Sequence, residues 1–309
     1  MKATGLTFIL LIFLLGTCHA QDPKVSLAVL GTVQDAGSPH IGCEKECCAL
    51  LFEKPDPSRM VVALGIVDHG NQKTFLFEAT PDMPRQLKIL KRLAETPSET
   101  PNGIFLTHAH IGHYTGLMYL GREALGGRSI PVYAMPKMKA FLENNAPWSQ
   151  LVALRNITLE PVTNKTRVQI TSTLSVLPFT VPHRDEFSET VGYKIIGPNK
   201  TVLFIPDIDK WDRWETAIVT EIKKVDYAFL DATFFDGNEV ANRDISEIPH
   251  PFAIESMALF HDLPKKEKAK IHFIHFNHTN PLLNENSKEH GLVRKKGFNI
   301  AKAGSLFKL

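Results

Sequence analysis

The chain has 309 residues, of which 43% are hydrophobic and 22% are charged. This composition excludes disordered and fibrous proteins, and a formal net charge of +2 excludes a strongly basic nucleic-acid-binding protein. The length allows a large hydrophobic core that needs no disulfides for its stability.

The first predicted element is an export signal. Lys2 precedes an apolar run over residues 6–15, in which Thr7 is the one polar residue, and a segment of mostly small residues follows and ends at Ala20. This layout is typical of a secretory signal peptide, because so short an apolar run does not span a bilayer. The sequence therefore predicts a signal peptide over residues 1–20 and a secreted or periplasmic mature chain. A lipoprotein signal with Cys18 as the lipidated residue and a buried N-terminal helix are the alternatives.

The mature chain alternates short β-rich runs with amphipathic helical segments, and no long Gly-, Ser- or Pro-rich linker divides it. Hydrophobic periodicity predicts strands over residues 25–30, 61–67, 74–78, 103–106, 157–162, 168–171, 174–178, 192–196, 201–205, 225–230 and 271–276. It predicts helices over residues 83–93, 117–125, 138–144 and 252–261. The two halves repeat one order of elements, so we expect a single α/β domain over residues 21–309, with two sheets inside and helices outside.

A histidine-rich loop follows the predicted strand 103–106. It contains His108, His110 and His113, and three imidazoles so close together are costly to bury without polar partners. Neutral imidazole is the commonest side-chain ligand of zinc and similar metals. The loop is therefore predicted to bind metal, and a solvated histidine-rich loop is the alternative.

This loop resembles the HxHxDH signature of the metallo-β-lactamase fold superfamily. Three residues at later strand ends, His183, Asp207 and His275, occur in the order in which that family places its further ligands. The resemblance implies a four-layer αβ/βα sandwich with two mixed β-sheets inside and helices outside. It also implies two divalent metal ions, with zinc favoured and iron or manganese as alternatives. The implied ligands are His108, His110, His183 and Asp207 for the first ion, and His113, Asp207 and His275 for the second.

A narrower resemblance, to coenzyme PQQ synthesis protein B, covers nearly the whole mature chain. It rests on residues 30–32, 79–82, 115–117 and 274–281. The cyclic phosphodiesterases of phosphonate metabolism form a sister branch that shares an N-terminal cysteine cluster. The biosynthetic proteins are cytoplasmic and largely lack the first two histidines of the loop, which this chain has. The chain therefore resembles a metallo-hydrolase site placed in a protein B-like body.

A cysteine cluster, Cys43, Cys47 and Cys48, lies near the start of the mature chain. It resembles, imperfectly, the CxCxxC structural zinc knot of the family. A tetrahedral zinc site needs four ligands, and the resemblance to the phosphodiesterases makes His278 the candidate for the fourth, with His40 as the local alternative. We expect a third, structural zinc ion here. A short-loop disulfide with one free thiol is the alternative.

Gly112 stands where the family signature has an aspartate that binds the second metal. Its absence leaves the second ion with at most three protein ligands, so we expect that site to be weaker and one charge unit more positive. A more positive centre would favour an anionic substrate such as a phosphate ester. Asp209 and Asp185 are two carboxylates that could compensate, but both are interpreted as ordinary loop residues.

The leading interpretation is an exported metal-dependent hydrolase, in which a metal-bound hydroxide attacks a phosphodiester or another anionic ester. Asp207 and His250 are the predicted catalytic residues, and His250 is expected to donate a proton to the leaving group. Asp231 is expected to orient a ligand histidine. The alternatives are a protein B-like, iron-dependent oxygenase or biosynthetic protein and a non-catalytic metal-binding protein. We expect a small anionic substrate, no nucleic-acid partner and no membrane span.

If residues 1–20 are a signal peptide, the exported protein begins near Gln21. Expression of the full-length chain in a bacterium, followed by intact-mass measurement of the exported protein, tests this prediction. A mass that still includes Met1 would contradict cleavage, and a lipid-modified chain that begins at Cys18 would show the lipoprotein alternative.

Overall fold

The computed structural model describes Met1, residues 24–240 and residues 244–309, so the predicted signal peptide, apart from Met1, lies outside the described residues. The strands are β1 (Val25–Gly31), β2 (Ala63–Asp68), β3 (Lys73–Phe77), β4 (Gly103–Phe105), β5 (Ile130–Ala134), β6 (Ile157–Pro161), β7 (Val168–Gln169), β8 (Ser175–Thr180), β9 (Val191–Ile196), β10 (Thr201–Ile205), β11 (Tyr227–Asp231), β12 (Ile271–Ile274), β13 (Asn299–Ile300) and β14 (Leu306–Lys308). The α-helices are α1 (Glu46–Glu53), α2 (Met83–Ala94), α3 (Ile111–Tyr114), α4 (Pro136–Asn144), α5 (Trp148–Ala153), α6 (Ile218–Lys223), α7 (Ala253–Leu259), α8 (Lys265–Lys268) and α9 (Lys288–Lys295).

The strands form two seven-stranded sheets, and each half of the chain builds most of one. The first sheet has the order β14-β1-β2-β3-β4-β5-β6 and the second has the order β13-β12-β11-β10-β9-β8-β7. Both sheets are mixed: β1 to β3 and β7 to β10 pair antiparallel, whereas β3 to β6 and β10 to β13 pair parallel. The predicted fold class, with two mixed sheets inside and helices outside, is confirmed.

A buried aromatic cluster joins the facing surfaces of the two sheets. Phe77 and Phe105 of the first sheet stack with ring centroids 4.8 Å apart. Tyr193 and Phe204 of the second sheet meet Phe77 edge-on, with centroids at 5.4 and 6.5 Å. Edge-on and offset contacts of this kind add to the hydrophobic gain from burying large rings.

Helices cover the outer face of each sheet with apolar side chains. Leu90 of α2 and Leu142 of α4 pack in the cluster on the outer side of the first sheet. Met257 of α7 packs in the corresponding cluster over the second sheet. The result is a four-layer arrangement of helix, sheet, sheet and helix. No helix in the described part of the chain is long and apolar enough to cross a membrane.

The structure contains several elements that were not predicted, among them β13, β14 and the helices α1, α5, α6, α8 and α9, and two further differences have a clear physical reason. The helix predicted over residues 117–125 is wrong, because a short 3₁₀ helix, Thr115–Leu120, ends at Gly121, whose backbone is extended. Strand β5 was not predicted from the sequence. It contains Pro131, which weakens a strand pattern because proline cannot donate a hydrogen bond to a neighbouring strand.

The strand directions place the candidate site residues at one edge of the sandwich. In the first sheet β1, β3 and β4 run the same way, and in the second sheet β8, β10, β11 and β12 do. The loops that follow these strands carry the histidines and carboxylates described next.

Candidate metal centre

The predicted ligands lie in loops that follow four strands. His108 and His110 follow β4, and His113 lies in the short helix α3. The carbonyl of His113 accepts a hydrogen bond from the N–H of Ala79, and the N–H of Gly116 donates to the carbonyl of Ala79. These bonds fix the histidine loop to the loop that follows β3. His183, Asp207 and His275 follow β8, β10 and β12.

The first ligand group consists of His108, His110, His183 and Asp207, and one donor atom of each lies within 4.8 Å of the others. The Nε2 atom of His108 lies 2.8 Å from Nδ1 of His110 and 3.3 Å from Oδ2 of Asp207. Nε2 of His183 lies 3.3 Å from the other carboxylate oxygen of Asp207. The structure therefore brings together all four residues predicted for the first ion.

The second ligand group consists of His113, Asp207 and His275 together with Asp35, again within 4.8 Å of one another. Oδ1 of Asp35 lies 2.9 Å from Nε2 of His113 and 3.3 Å from Nε2 of His275. Oδ2 of Asp207 lies 4.0 Å from each of the same two nitrogens. The three predicted residues meet as expected, and Asp35 is an addition that the sequence analysis missed.

Asp35 overturns the expectation that Gly112 deprives the second group of a carboxylate. The second group holds two carboxylates, one of them the Asp207 that it shares with the first group. The two carboxylates considered from the sequence are engaged elsewhere: Asp209 accepts a hydrogen bond from Arg213, and Asp185 accepts one from Thr190. Their interpretation as loop residues agrees with these contacts.

Buried polar atoms at the first group fit a metal ion. Both ring nitrogens of His183 and Oδ1 of Asp207 are buried and have no hydrogen-bond partner among the described residues. A buried polar atom without a partner costs roughly 1–3 kcal/mol. A divalent cation would accept electron pairs from Oδ1 of Asp207 and from one ring nitrogen of His183, and histidine nitrogen with carboxylate oxygen is a donor set that suits zinc.

The charges of the centre also suit a cation. Burial raises the pKa of Asp207, but His183, His250 and His275 outweigh it and hold that pKa well below its usual value. Burial, reinforced by His113, lowers the pKa of His108 well below its usual value. These shifts favour the anionic form of Asp207 and the neutral form of His108, which are the forms that bind a metal. The pKa values of His113 and His275 are instead raised, because burial opposes protonation of both rings but Asp35 and Asp207 respectively stabilise the protonated rings in the absence of a metal.

A second layer of side chains orients the ligand imidazoles. Oε1 of Glu78 lies 3.2 Å from Nδ1 of His113. Nδ1 of His275 lies 2.8 Å from the hydroxyl of Thr233, which in turn donates to Asp231. Such partners fix the ring and tautomer of a ligand histidine. The geometry agrees with the expected orienting role of Asp231, which acts through Thr233.

His250 lies beside the shared carboxylate. Its Nδ1 atom is 2.9 Å from Asp231 and 3.1 Å from Asp207. Burial opposes protonation, but these two carboxylates raise the pKa of His250 to about 10. His250 also belongs to a group of potential donors with Asp207, Asp231 and His275. The structure thus places this predicted catalytic residue in the centre, and its role as a proton donor stays a prediction.

The cysteine cluster forms a separate group with a histidine from the far end of the chain. Cys43, Cys47, Cys48 and His278 each offer a donor atom within 4.8 Å of the others. The sulfurs of Cys43 and Cys47 are 3.7 Å apart and those of Cys47 and Cys48 are 4.0 Å apart, well beyond the roughly 2.05 Å of a disulfide. His40, the alternative ligand, instead packs against the ring of His278 at 4.4 Å.

Replacement of His183 by Ala is expected to remove one metal ion per chain, since neither ring nitrogen of this buried residue has a hydrogen-bond partner in the described part of the chain. Metal content of the purified protein, measured by mass spectrometry, tests this. The matched control is His261→Ala, because the side chain of His261 is 74% exposed and pairs with its neighbour Asp262. Equal metal content in the His183 and His261 variants would contradict the assignment.

The cysteine group is expected to hold a zinc ion that resists chelation, because four protein ligands leave no open position for a competing ligand. Brief treatment with a chelator should remove the ions at Asp207 and leave one zinc per chain. Cys48→Ser should lose that last ion and lower the melting temperature. A mapped disulfide among the three cysteines, without a third metal, would contradict this prediction.

The chain is similar to several known proteins. A family profile described as a β-lactamase superfamily domain matches residues 73–273. Coenzyme PQQ synthesis protein B of Methylorubrum extorquens (strain PA1) is 26% identical over 314 residues, which cover 90% of this chain and 98% of that protein. The protein of the same name from Acinetobacter baylyi is 25% identical, with coverage of 92% and 99%.

Solved structures share the fold. Zn²⁺-bound PqqB from Methylobacterium extorquens superposes with a TM-score of 0.75 at 21% identity, covering 92% of this chain and all of that one. A diphosphatase of the PhnP family superposes with a TM-score of 0.63 at 21% identity, covering 92% and 96%.

These findings confirm the resemblance to coenzyme PQQ synthesis protein B. They favour the protein B-like alternative over the phosphodiesterase interpretation, and they support binding of a divalent metal. Since the matched profile covers residues 73–273, more than half of the chain, the chain belongs to the metallo-β-lactamase superfamily.

Proposed function

We propose that the chain is a metal-dependent enzyme of the coenzyme PQQ synthesis protein B type, with its chemistry at the two ligand groups around Asp207. The observation that carries the proposal is the extent of the similarity, which covers 90% of this chain and 98% of the M. extorquens protein. A similarity of that extent includes the loops around the site as well as the shared sandwich. The zinc named in the PqqB structure supports a divalent metal at these ligands.

The residues of the centre have distinct parts in this proposal. Asp207 would contact both ions, because its carboxylate belongs to both ligand groups. Its Oδ1 and Oδ2 atoms each lie 3.3 Å from a histidine nitrogen of the first group, and Oδ2 also lies 4.0 Å from His113 and His275 of the second group. Divalent ions bound here supply Lewis acidity and lower the pKa of a coordinated water. Imidazole and carboxylate donors accommodate zinc, iron and manganese, so the ligand set is compatible with hydrolysis and with oxygen chemistry.

The net charge of the centre favours a phosphodiester substrate less than the sequence implied. Asp35 makes the centre one unit less positive than a site with Asp207 as its single carboxylate. Glu186 adds a further negative charge at the rim, where its carboxylate lies 3.6 Å from His110. Charge alone therefore no longer favours a phosphate ester over other small molecules.

Hydrolysis of a phosphodiester or another anionic ester is the second candidate. It is favoured by the first ligand group, with its three histidines and Asp207, and by the fold shared with a diphosphatase. His250 would then supply a proton. With its Nδ1–H donated to the carboxylate of Asp231, the proton on Nε2 is the one that a leaving group would receive.

Complementation tests the first candidate. A strain of M. extorquens that lacks its own protein B should regain PQQ production when it expresses residues 21–309 of this chain, with export prevented. Asp207→Ala should abolish this rescue because Asp207 belongs to both ligand groups, whereas His261→Ala should preserve it. Failure of the wild-type chain, at a protein level matched to the native protein B, would contradict the proposal.

An assay of the purified protein tests the second candidate. Zinc- and manganese-loaded protein should hydrolyse a chromogenic phosphodiester. His250→Ala should lower kcat by about 10²–10⁴-fold, the usual contribution of a general acid, with metal content unchanged. Full activity in the His250 variant would contradict the proton-donor role. No turnover of phosphodiester, phosphomonoester or lactone by protein with its full metal content would exclude the hydrolase candidate.

A further inference from the structure

The loop that follows β1 brings a carboxylate to the centre from a distant part of the chain. Oδ1 of Asp35 lies within 3.3 Å of Nε2 on both His113 and His275, closer than the 4.0 Å of Asp207 to either nitrogen. The Asp35 side chain is 12% exposed. Nearly buried carboxylates need strong partners, and a cation between the imidazoles would be one.

Main-chain pairing holds this loop against the strand end that carries His275. The N–H of Gln34 donates to the carbonyl of Phe276, and the N–H of Phe276 donates to the carbonyl of Thr32, at 2.8 Å each. Asp35 is one residue beyond Gln34, and His275 is one residue before Phe276. Two backbone hydrogen bonds therefore set the position of the carboxylate relative to the imidazole.

Gly112 provides the space that Asp35 occupies. A Cβ atom at position 112 would lie 2.5 Å from Cα of Asp35 and 2.8 Å from its Cβ and Cγ. Gly112 does not have a positive φ, so its backbone conformation is open to other residues and its role is to permit this close approach. A side chain at position 112 and the carboxylate of Asp35 compete for the same volume.

We propose that Asp35 is a ligand of the second metal ion, supplied by the loop after β1 in place of an aspartate at position 112. The second ion then has four protein ligands, Asp35, His113, Asp207 and His275. The histidine loop has no carboxylate at position 112, and the loop after β1 supplies Asp35 in its place. We call this replacement the carboxylate exchange. This inference rests on the metal binding in the proposed function and is independent of the reaction catalysed.

Titration of the metal-free chain with zinc alone tests the exchange. Asp35→Asn keeps the size of the side chain and removes its charge. It is expected to weaken the second ion at Asp207 by at least about 100-fold, because even partners outside the ligand set contribute 10–100-fold to metal affinity. The first ion should keep its affinity. Asp185→Asn is the matched control, since Asp185 is a loop carboxylate that accepts a hydrogen bond from Thr190.

A second variant tests the part played by Gly112. Gly112→Ala adds no charge and no donor, but its methyl group would push against Cα of Asp35. It should lower the affinity for the second ion as Asp35→Asn does. A cooperative unfolding transition of the Gly112 variant is the control for folding. The wild-type stoichiometry and second-ion affinity in Asp35→Asn would overturn the inference.

These experiments distinguish a failure of the carboxylate exchange from a failure of the proposed function. Loss of the second ion in Asp35→Asn supports the exchange even if the wild-type protein neither complements nor hydrolyses any substrate. A wild-type chain that binds zinc only at the cysteine cluster would overturn both. Complementation by a chain whose second ion does not depend on Asp35 would overturn the exchange alone.

Discussion

The carboxylate of Asp207 is the interaction on which the centre depends. Its side chain is 2% exposed and lies within 3.3 Å of ring nitrogens from His108, His183 and His250. A buried anion is costly unless paired, and here the imidazoles around it come from both sheets. The buried carboxylate at the end of β10 is therefore stabilised by histidines from the loops of both sheets.

The two sheets give the centre two different kinds of ligand loop. The first sheet supplies a continuous histidine loop after β4, whereas the second supplies single residues at the ends of β8, β10 and β12. Residues 32–34 connect the ligand loops of the two sheets. They continue from β1 of the first sheet and pair with Phe276, which follows β12 of the second sheet. The same two segments of chain also form the cysteine group: one carries Asp35 and the three cysteines, and the other carries His275 and His278.

The sequence predicted those parts of the site whose signal is local or follows strand ends. His108, His110 and His113 lie within six residues of one another, and His183, Asp207 and His275 each follow a recognisable strand. Two mixed sheets between helices followed from the repeated order of elements and from the family resemblance. The ends of the helices and strands were predicted less accurately. A helix was predicted over residues 117–125, but the structure has a shorter 3₁₀ helix that ends at Gly121.

The sequence does not identify Asp35 as a candidate ligand, for a physical reason. Its neighbours Gln34 and Ala36 form no ligand motif, and its place depends on the bridge between Val33 and Phe276, a pairing between residues far apart in the chain. Gly112 was correctly identified as a departure from the signature, but a missing side chain does not indicate which residue fills its volume. The contact between Gly112 and Asp35 is visible only in three dimensions.

The proposed function requires two divalent ions that would share Asp207 as a ligand. A crystal structure of the metal-loaded protein, with anomalous differences measured on either side of the absorption edge of the bound metal, tests it most directly. The account predicts two peaks at Asp207, one among His108, His110 and His183 and the other among Asp35, His113 and His275. No peak at Asp207, or a single peak that contacts neither of its oxygens, would contradict it.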